Sequence, residues 1–385
     1  MVIPQDIHEA MIGWRHHLHA HPEIAFQEHA TAAYLAEALR AMGLEPVCGL
    51  AGTGLVASLS RGHGPTIGLR ADMDALPVTE ATGVAYASTC PGVMHACGHD
   101  GHMATLLGAA LGLTRQPDFQ GTVRFIFQPA EENEVGGRRM VEEGFFDRFP
   151  CDTVYGMHNW PGERNGSIAV NPGPMMASMD LFEVRMVGRG CHAAIPESGT
   201  DPFLPAAQLV LGLLSLPARR ISPLDSAVVS VTQVHGGETW NVIPDQVLVR
   251  GCVRSFDPAV QDTMEAAIRQ LSAATAAAYG ATAEVFYDRR YLPTINTAAE
   301  AGLAARAAAT VVGAANVLTG VRPSMASEDF SYFLRERPGA YVWLGTAGTG
   351  GAPLHNAGFD YLDAALDTGC AYWTALVKLA LPAEG

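Results

Sequence analysis

From Ser178 to Arg289 the chain carries, in order, a strand pattern SMDLFEVRMVG, a helix pattern PAAQLVLGLLSL, the strand patterns AVVSVTQV and QVLVRGCVRSF, a helix over 260–279 and a strand AEVFYDR. That β-α-β-β-α-β order has the length of a small split-βαβ domain with a sheet of its own. The flanking sequence has a different rhythm. GLVASLS (54–60), TIGLRAD (66–72), TVRFIFQPA (122–130) and TVYGMHN (153–159) read as short apolar strands, and a helix beginning near His99 and running through MATLLGAALGL lies between the second and third. Apolar strands joined by crossover helices predict a mostly parallel sheet with helices on both faces. Two prolines and a glycine in NPGPMMAS (171–178) mark the change of pattern, and after YLPTIN (291–296) the first rhythm resumes, with AYVWLG (340–345) as a strand and a closing helix from Tyr361. The expected fold is therefore α/β with an inserted α+β domain: residues 1–175 and 292–385 form the large domain and residues 176–291 the insertion. At 385 residues the chain also exceeds the size at which one core usually stops growing.

Charge narrows the partners. Lys and Arg number 24 against 39 Asp and Glu, a formal net charge of -15 that opposes contact with nucleic-acid phosphates or anionic lipid. No stretch approaches the ~20 uninterrupted apolar residues of a membrane span. The opening MVIPQDIHEAMIGW lacks the basic segment and apolar run of a signal peptide, so a cytoplasmic protein is expected. The seven cysteines are scattered and never spaced C-x-x-C, which indicates neither a disulfide framework nor a zinc finger.

The chemistry concentrates where open α/β sheets place their ligands, at or just after the carboxyl ends of strands. QPAEE follows TVRFIF, MHNW follows TVYGM, HACGHD precedes a helix, and LHNAGFD (354–360) follows the loop GTAGTGGAP. Together they supply Cys97, His99, Glu131, Glu132, His158 and His355. This mixture of thiolate, imidazole and carboxylate suits zinc or a neighbouring transition metal such as manganese, cobalt or nickel. Five ligands are too many for one closed tetrahedral site and enough for two divalent ions if one ligand bridges. A hydrolytic centre of that kind also needs a carboxylate that binds no metal, and the adjacent Glu131 and Glu132 can divide the two roles.

Other features read more plainly. For Cys97 the alternatives are a buried thiol or a nucleophile, and the histidines around it favour a ligand. His16, His17, His19 and His21 in WRHHLHAHPE fall on a helix and its end with no evident carboxylate partner, so they are taken as structural. His8 has no supporting context. His102, one helical turn beyond His99, is expected to orient or pack rather than to ligate. Glu328 and Asp329 in MASEDFSYF are either carboxylates beside the site or a helix-start pair. The glycines of GTAGTGGAP form a turn that presents His355 rather than a phosphate cradle, because no Lys-Ser/Thr follows them.

The runs LRADMDALPV, GVMHACGHDGH, FQPAEE, GMHNWPG, GRGCHAAIP, WNVIPD and MASEDFSYF, in this order along nearly the whole chain, resemble the signatures of the zinc aminoacylase and carboxypeptidase family, in its hippurate hydrolase and auxin-conjugate hydrolase branch. The resemblance implies a dinuclear catalytic domain interrupted by a lid or dimerisation domain. It assigns Cys97 as the bridging thiolate, His99, Glu132, His158 and His355 as the remaining ligands, and Glu131 as general base. It brings in His192 as the donor to the tetrahedral oxyanion, with Asn241 and Arg254 holding the substrate's α-carboxylate. Asp72, Asp74 and Asp100 would orient the histidines. The wider family has His-x-Asp where this chain has Asp72-Met73-Asp74, and an aspartate where this chain has Cys97. The activity implied is hydrolysis of the amide bond of N-acyl amino acids by a homodimer or higher homo-oligomer. A dipeptidase or a deacetylase of a diamino acid would use the same centre, and a binding protein without catalysis would require a missing base or ligand.

Overall fold

The computed structural model describes residues 2–116, 118–132, 134–348 and 351–383. The chain divides into two compact units. One comprises residues 1–175, 295–322 and 329–385, the other residues 176–294 and 323–328.

The large unit is built on an eight-stranded sheet in the order Val47–Leu50, Gly54–Arg61, Gly121–Gln128, Thr66–Asp72, Thr153–Arg164, Gly339–Ala347, Ile168–Ala169, Val317–Leu318. Its four central strands run parallel, and antiparallel pairing begins where Gly54–Arg61 and Ile168–Ala169 join them. Thr66–Asp72 is buried from its second residue onward and Gly339–Ala347 along all but its last, as expected of strands covered on both faces. The helix His99–Arg115 packs against Gln5–Ala20 and Leu366–Ala380. At that crossing a Cβ on Gly108 would lie 2.3 Å from Met11 Sδ, so a side chain there would require Met11 to move.

The small unit is a four-stranded antiparallel sheet in the order Ala227–His235, Gln246–Ser255, Met179–Val187, Thr282–Tyr291. Burial alternates along Gln246–Ser255, and its inward side chains Val247, Val249 and Val253 meet Leu209, Leu213, Met264 and Ile268 from the helices Phe203–Arg220 and Pro258–Ala278. The Asp257 carboxylate caps the second helix by accepting from Ala259 N–H. A ribbon of two short strands, Cys191–His192 and Val242–Ile243, completes the unit.

Three strands of the large sheet, Val47–Leu50, Ile168–Ala169 and Val317–Leu318, have no counterpart in the sequence pattern. They hold two to four residues each, too few for a period to register. The strand TVYGMHN continues to Arg164, so His158 sits within a strand rather than at its end.

Candidate metal centre

The carboxyl ends of adjacent parallel strands bring the candidate ligands of the large unit together. Asp72 ends Thr66–Asp72, and Glu131 and Glu132 follow Gly121–Gln128 after three residues or fewer of connection. Cys97 and His99 flank Gly98, which enters the helix in the left-handed region at φ 94°. Glycine is required at that position. A Cβ there would stand 2.4 Å from Asn159 Oδ1, in addition to the strain of the backbone itself. Ala130 (φ 56°) and His355 (φ 65°) are also left-handed, and neither is glycine. Backbone strain at these two positions and the Gly98 turn all lie at or beside candidate ligands, as expected where side-chain aim matters more than local stability.

Cys97 Sγ lies 3.4 Å from His158 Nε2. The ligand atoms of Cys97, Glu132 and His355 fall within 4.8 Å of one another, as do those of His99, Glu131 and Glu132. Both buried histidines present the same nitrogen. His99 Nδ1 lies 2.8 Å from the Asp74 carbonyl and His158 Nδ1 2.7 Å from the Asn159 carbonyl, so each donates its Nδ1 proton there and turns the Nε2 lone pair inward. His102 differs. Its Nδ1 lies 2.6 Å from Asp72 Oδ1, and its Nε2 lies 2.7 Å from Asn159 Oδ1 and 2.9 Å from Asn159 N, so both nitrogens are occupied although the ring shares a cluster with Asp72, His99 and His158.

A second layer of buried charge supports the first. Arg70 donates to Asp72 Oδ2 (2.8 Å), Gln128 Oε1 (2.8 Å) and Asp329 Oδ1 (3.0 Å). Asp329 also accepts from Gly137 N–H and from Gln128, and its carboxylate lies within 4.8 Å of that of Glu131, so of the two sequence readings it stands beside the site; the short helix Ser331–Glu336 starts two residues later. Asp74 Oδ2 accepts from Glu132 N–H at 2.8 Å. Asp100, beside His99, accepts from His19 Nδ1 (2.8 Å) and pairs with Arg15.

Two of the four histidines of WRHHLHAHPE, His16 and His19, do have carboxylate partners, contrary to the sequence reading, and so does His8. His19 bridges Asp100 and Glu80, His16 meets Asp363 at 2.9 Å and His8 meets Asp367 at 2.8 Å. They tie the first helix to the rest of the large unit, and the partners went unseen because they lie 61 to 359 residues away. Arg70, Gln128, Asn159 and Glu28 were missed for the same reason.

The ligand set fits divalent cations on three observations of its electrostatics. Burial, and next the Glu132 and Glu131 carboxylates, push the Cys97 thiol well above its usual range, so a thiolate here calls for neighbouring positive charge. His99 shows the same imbalance: burial disfavours its charge, yet Asp72 and Asp74 outweigh burial and raise it to about 10. Finally, His99 Nε2 and Glu132 Oε1 are buried without an aligned hydrogen bond among the described residues, even though Glu132 Oε1 lies only 3.1 Å from His355 Nε2. Ligand atoms sharing a cation stand in this relation, close but not aimed at each other as donor and acceptor.

The remaining predicted residues belong to the small unit. His192 and Val242 pair across the two-stranded ribbon, and Ala193 N–H donates to the Asn241 carbonyl at 3.0 Å, which places His192 and Asn241 on one exposed element. Arg254 donates through Nη1 to the Met325 carbonyl (2.8 Å) and Ser327 Oγ (2.7 Å), which joins residues 323–328 to this unit. In GTAGTGGAP, residues 349 and 350 lie outside the described residues.

Comparison with known proteins agrees with this chemistry. The chain is 40% identical over 348 residues to an N-acetyl-L-cysteine deacetylase of Bacillus subtilis, covering 89% of this chain and 82% of that protein. It is 36% identical over 368 residues to a hippurate hydrolase of Campylobacter jejuni, covering 95% and 94%. The crystal structure of the Bacillus subtilis YXEP protein, described as a dinuclear metal binding peptidase from the M20 family, superposes with a TM-score of 0.85 at 36% identity, covering 98% of this chain and 99% of that one. Residues 68–379 match the family itself, and the chain belongs to peptidase family M20/M25/M40.

Proposed function

We propose that this chain hydrolyses the amide bond of N-acyl amino acids, releasing a carboxylate and a free amino acid, with Glu131 as general base. The observation that carries the reading is the convergence of Cys97, His99, Glu132, His158 and His355 beside a second carboxylate, Glu131. Relatives named for deacetylation of N-acetylcysteine and hydrolysis of hippurate support a small acylated amino acid as substrate.

Cys97, His99, Glu132, His158 and His355 would hold two divalent ions. When bound, such ions polarise a scissile carbonyl and acidify water. Zinc suits the thiolate and imidazole ligands best, with manganese, cobalt and nickel as the other candidates. Glu131 accepts the proton of the attacking water and passes it to the amine nitrogen as the C–N bond breaks. His192 donates to the developing oxyanion, and Asn241 and Arg254 receive the substrate carboxylate.

We also read the protein as a cytoplasmic homodimer or higher homo-oligomer assembled through the small unit. Ala227–His235 is an edge strand, and Leu211 and Leu214 on Phe203–Arg220 are 67% and 53% exposed, a surface that favours self-association. Among the described residues no helix is long and apolar enough to cross a membrane.

The deciding experiment removes metal, restores each divalent ion singly, and measures amine release from acetyl, benzoyl and other acyl amino acids alongside dipeptides. Acyl amino acids should turn over fastest, and Glu131→Gln should keep its metal while losing about 10²- to 10⁴-fold in kcat. Full turnover by that variant would refute the assigned base. Faster turnover of dipeptides would move the activity to a dipeptidase.

A further inference from the structure

Glu28 stands at the N-terminal boundary of the helix His29–Ala41, where a carboxylate would ordinarily cap the helix. It does not do so. Glu23 accepts from Ala30 N–H (3.1 Å) and Thr31 N–H (2.8 Å) instead, and Glu28 turns into the protein, where it is fully buried. There its Oε1 accepts from Ala130 N–H at 2.8 Å and its Oε2 from Thr53 Oγ1 at 2.6 Å. Ala130 is the left-handed residue immediately before Glu131. Its carbonyl is held as well, by Gly136 N–H at 2.8 Å, and Gly136 packs so closely that a Cβ there would lie 1.9 Å from the Pro129 carbonyl. On the other side of Glu131, Glu132 N–H is taken by Asp74. The amides flanking Glu131 thus each donate to a carboxylate, and one of these belongs to a residue 102 positions from Ala130 in the chain.

We propose that Glu28 is a positioning residue for Glu131: by accepting from the Ala130 amide it holds the strained backbone conformation that aims the Glu131 carboxylate at the reacting water. A buried charged group facing an apolar wall would be costly, and here both oxygens are matched by donors. Misplacing a general base by about 1 Å costs on the order of a hundredfold in rate, so a clamp on the preceding peptide has a kinetic value that helix capping does not have. The inference rests on the reading of Glu131 as base.

Two substitutions separate the clamp from simple bulk. Glu28→Met keeps length and volume but leaves Ala130 N–H without its acceptor. Glu28→Gln retains an amide oxygen for Ala130, and the Thr53 hydroxyl can rotate to accept from the new NH₂ group. We expect kcat to fall about 10- to 100-fold in Glu28→Met, with KM within about twofold of the parent and two metals still bound per chain. Glu28→Gln should stay within about threefold of the parent kcat. Hydrogen–deuterium exchange over residues 128–132 should quicken in Glu28→Met and remain slow in Glu28→Gln. Parental kcat in a folded, metallated Glu28→Met would overturn the proposal, as would equal losses in both variants or a loss that follows metal content. If Glu28→Met does not fold, Thr53→Val decides: it removes one arm of the clamp and should lower kcat about two- to fivefold at constant KM, and an unchanged kcat would refute the role. Glu131→Gln in the same series keeps the two readings apart. An active Glu131→Gln defeats the base assignment, whereas an inactive one beside an active Glu28→Met defeats only the clamp.

Discussion

The large unit buries charge and the small unit scarcely does. Arg15, Glu28, Arg70, Asp72, Asp74, Asp100 and Asp329 are each no more than 1% exposed, whereas in the small unit Asp180 and Glu328 are the buried carboxylates and no basic side chain is buried among the described residues. Burying an ion costs several kcal/mol unless partners compensate. In the large unit those partners are a mixture of ions, imidazoles and backbone groups: Arg70 pairs with Asp72 and Asp329, Arg15 with Asp100, His102 donates to Asp72, the Asp74 carbonyl accepts from His99, and the Asp74 carboxylate accepts from Glu132 N–H. The small unit is held instead by Val, Leu and Met packed between two helices and one sheet. One region is built for aim and the other for cohesion, so equal insults to the two should have different readouts.

The largest effect is expected at Gly98, where Ala would overlap Asn159 and force a side chain into a left-handed backbone between Cys97 and His99. Turnover should fall by about a hundredfold or more, together with a fall in bound metal. A fully active Gly98→Ala would show that the charged region yields more readily than its packing suggests. Leu213→Ala in the small unit should lower stability by about 2–5 kcal/mol in denaturant unfolding, while metal content and kcat per folded molecule stay at parental values. A matching loss of metal would erase the distinction between the units.

Asp180 sharpens the contrast from the other side. Burial, only partly offset by hydrogen bonds from Tyr287 and Gln261, pushes its carboxyl up to about 6. A carboxyl with a folded value above its unfolded one is protonated more readily in the native state. Its stabilisation is therefore present at low pH and is lost as pH rises from about 4 through about 6, a loss of about 3 kcal/mol. Denaturant midpoints of the parent should decline across that window, and Asp180→Asn should flatten the decline. An identical slope in both proteins would remove Asp180 as its source.

Much of this was legible in the chain. Thr66–Asp72 matches its apolar run residue for residue, and the helix expected over 260–279 lies within two residues of its pattern, because period and caps are local properties. The six residues that converge were also readable, since each sits in one of the short motifs HACGHD, QPAEE, MHNW and LHNAGFD. What escaped was the support. Arg70 and Asp329 are 259 residues apart, Glu28 and Ala130 are 102 apart, and no local period links them. His19 looked like an isolated helical histidine until the fold set it between Asp100 and Glu80.

By itself the sequence determined the class of fold and the kinds of ligand, because side-chain chemistry and the two backbone periods act over a few residues. Only the tertiary structure decided which nitrogen each histidine presents and which carboxylate braces which ligand. It alone turned Glu28 away from its helix toward Ala130. Those outcomes depend on hydrogen bonds closed across long loops, whose geometry exists once the strands have registered and not before.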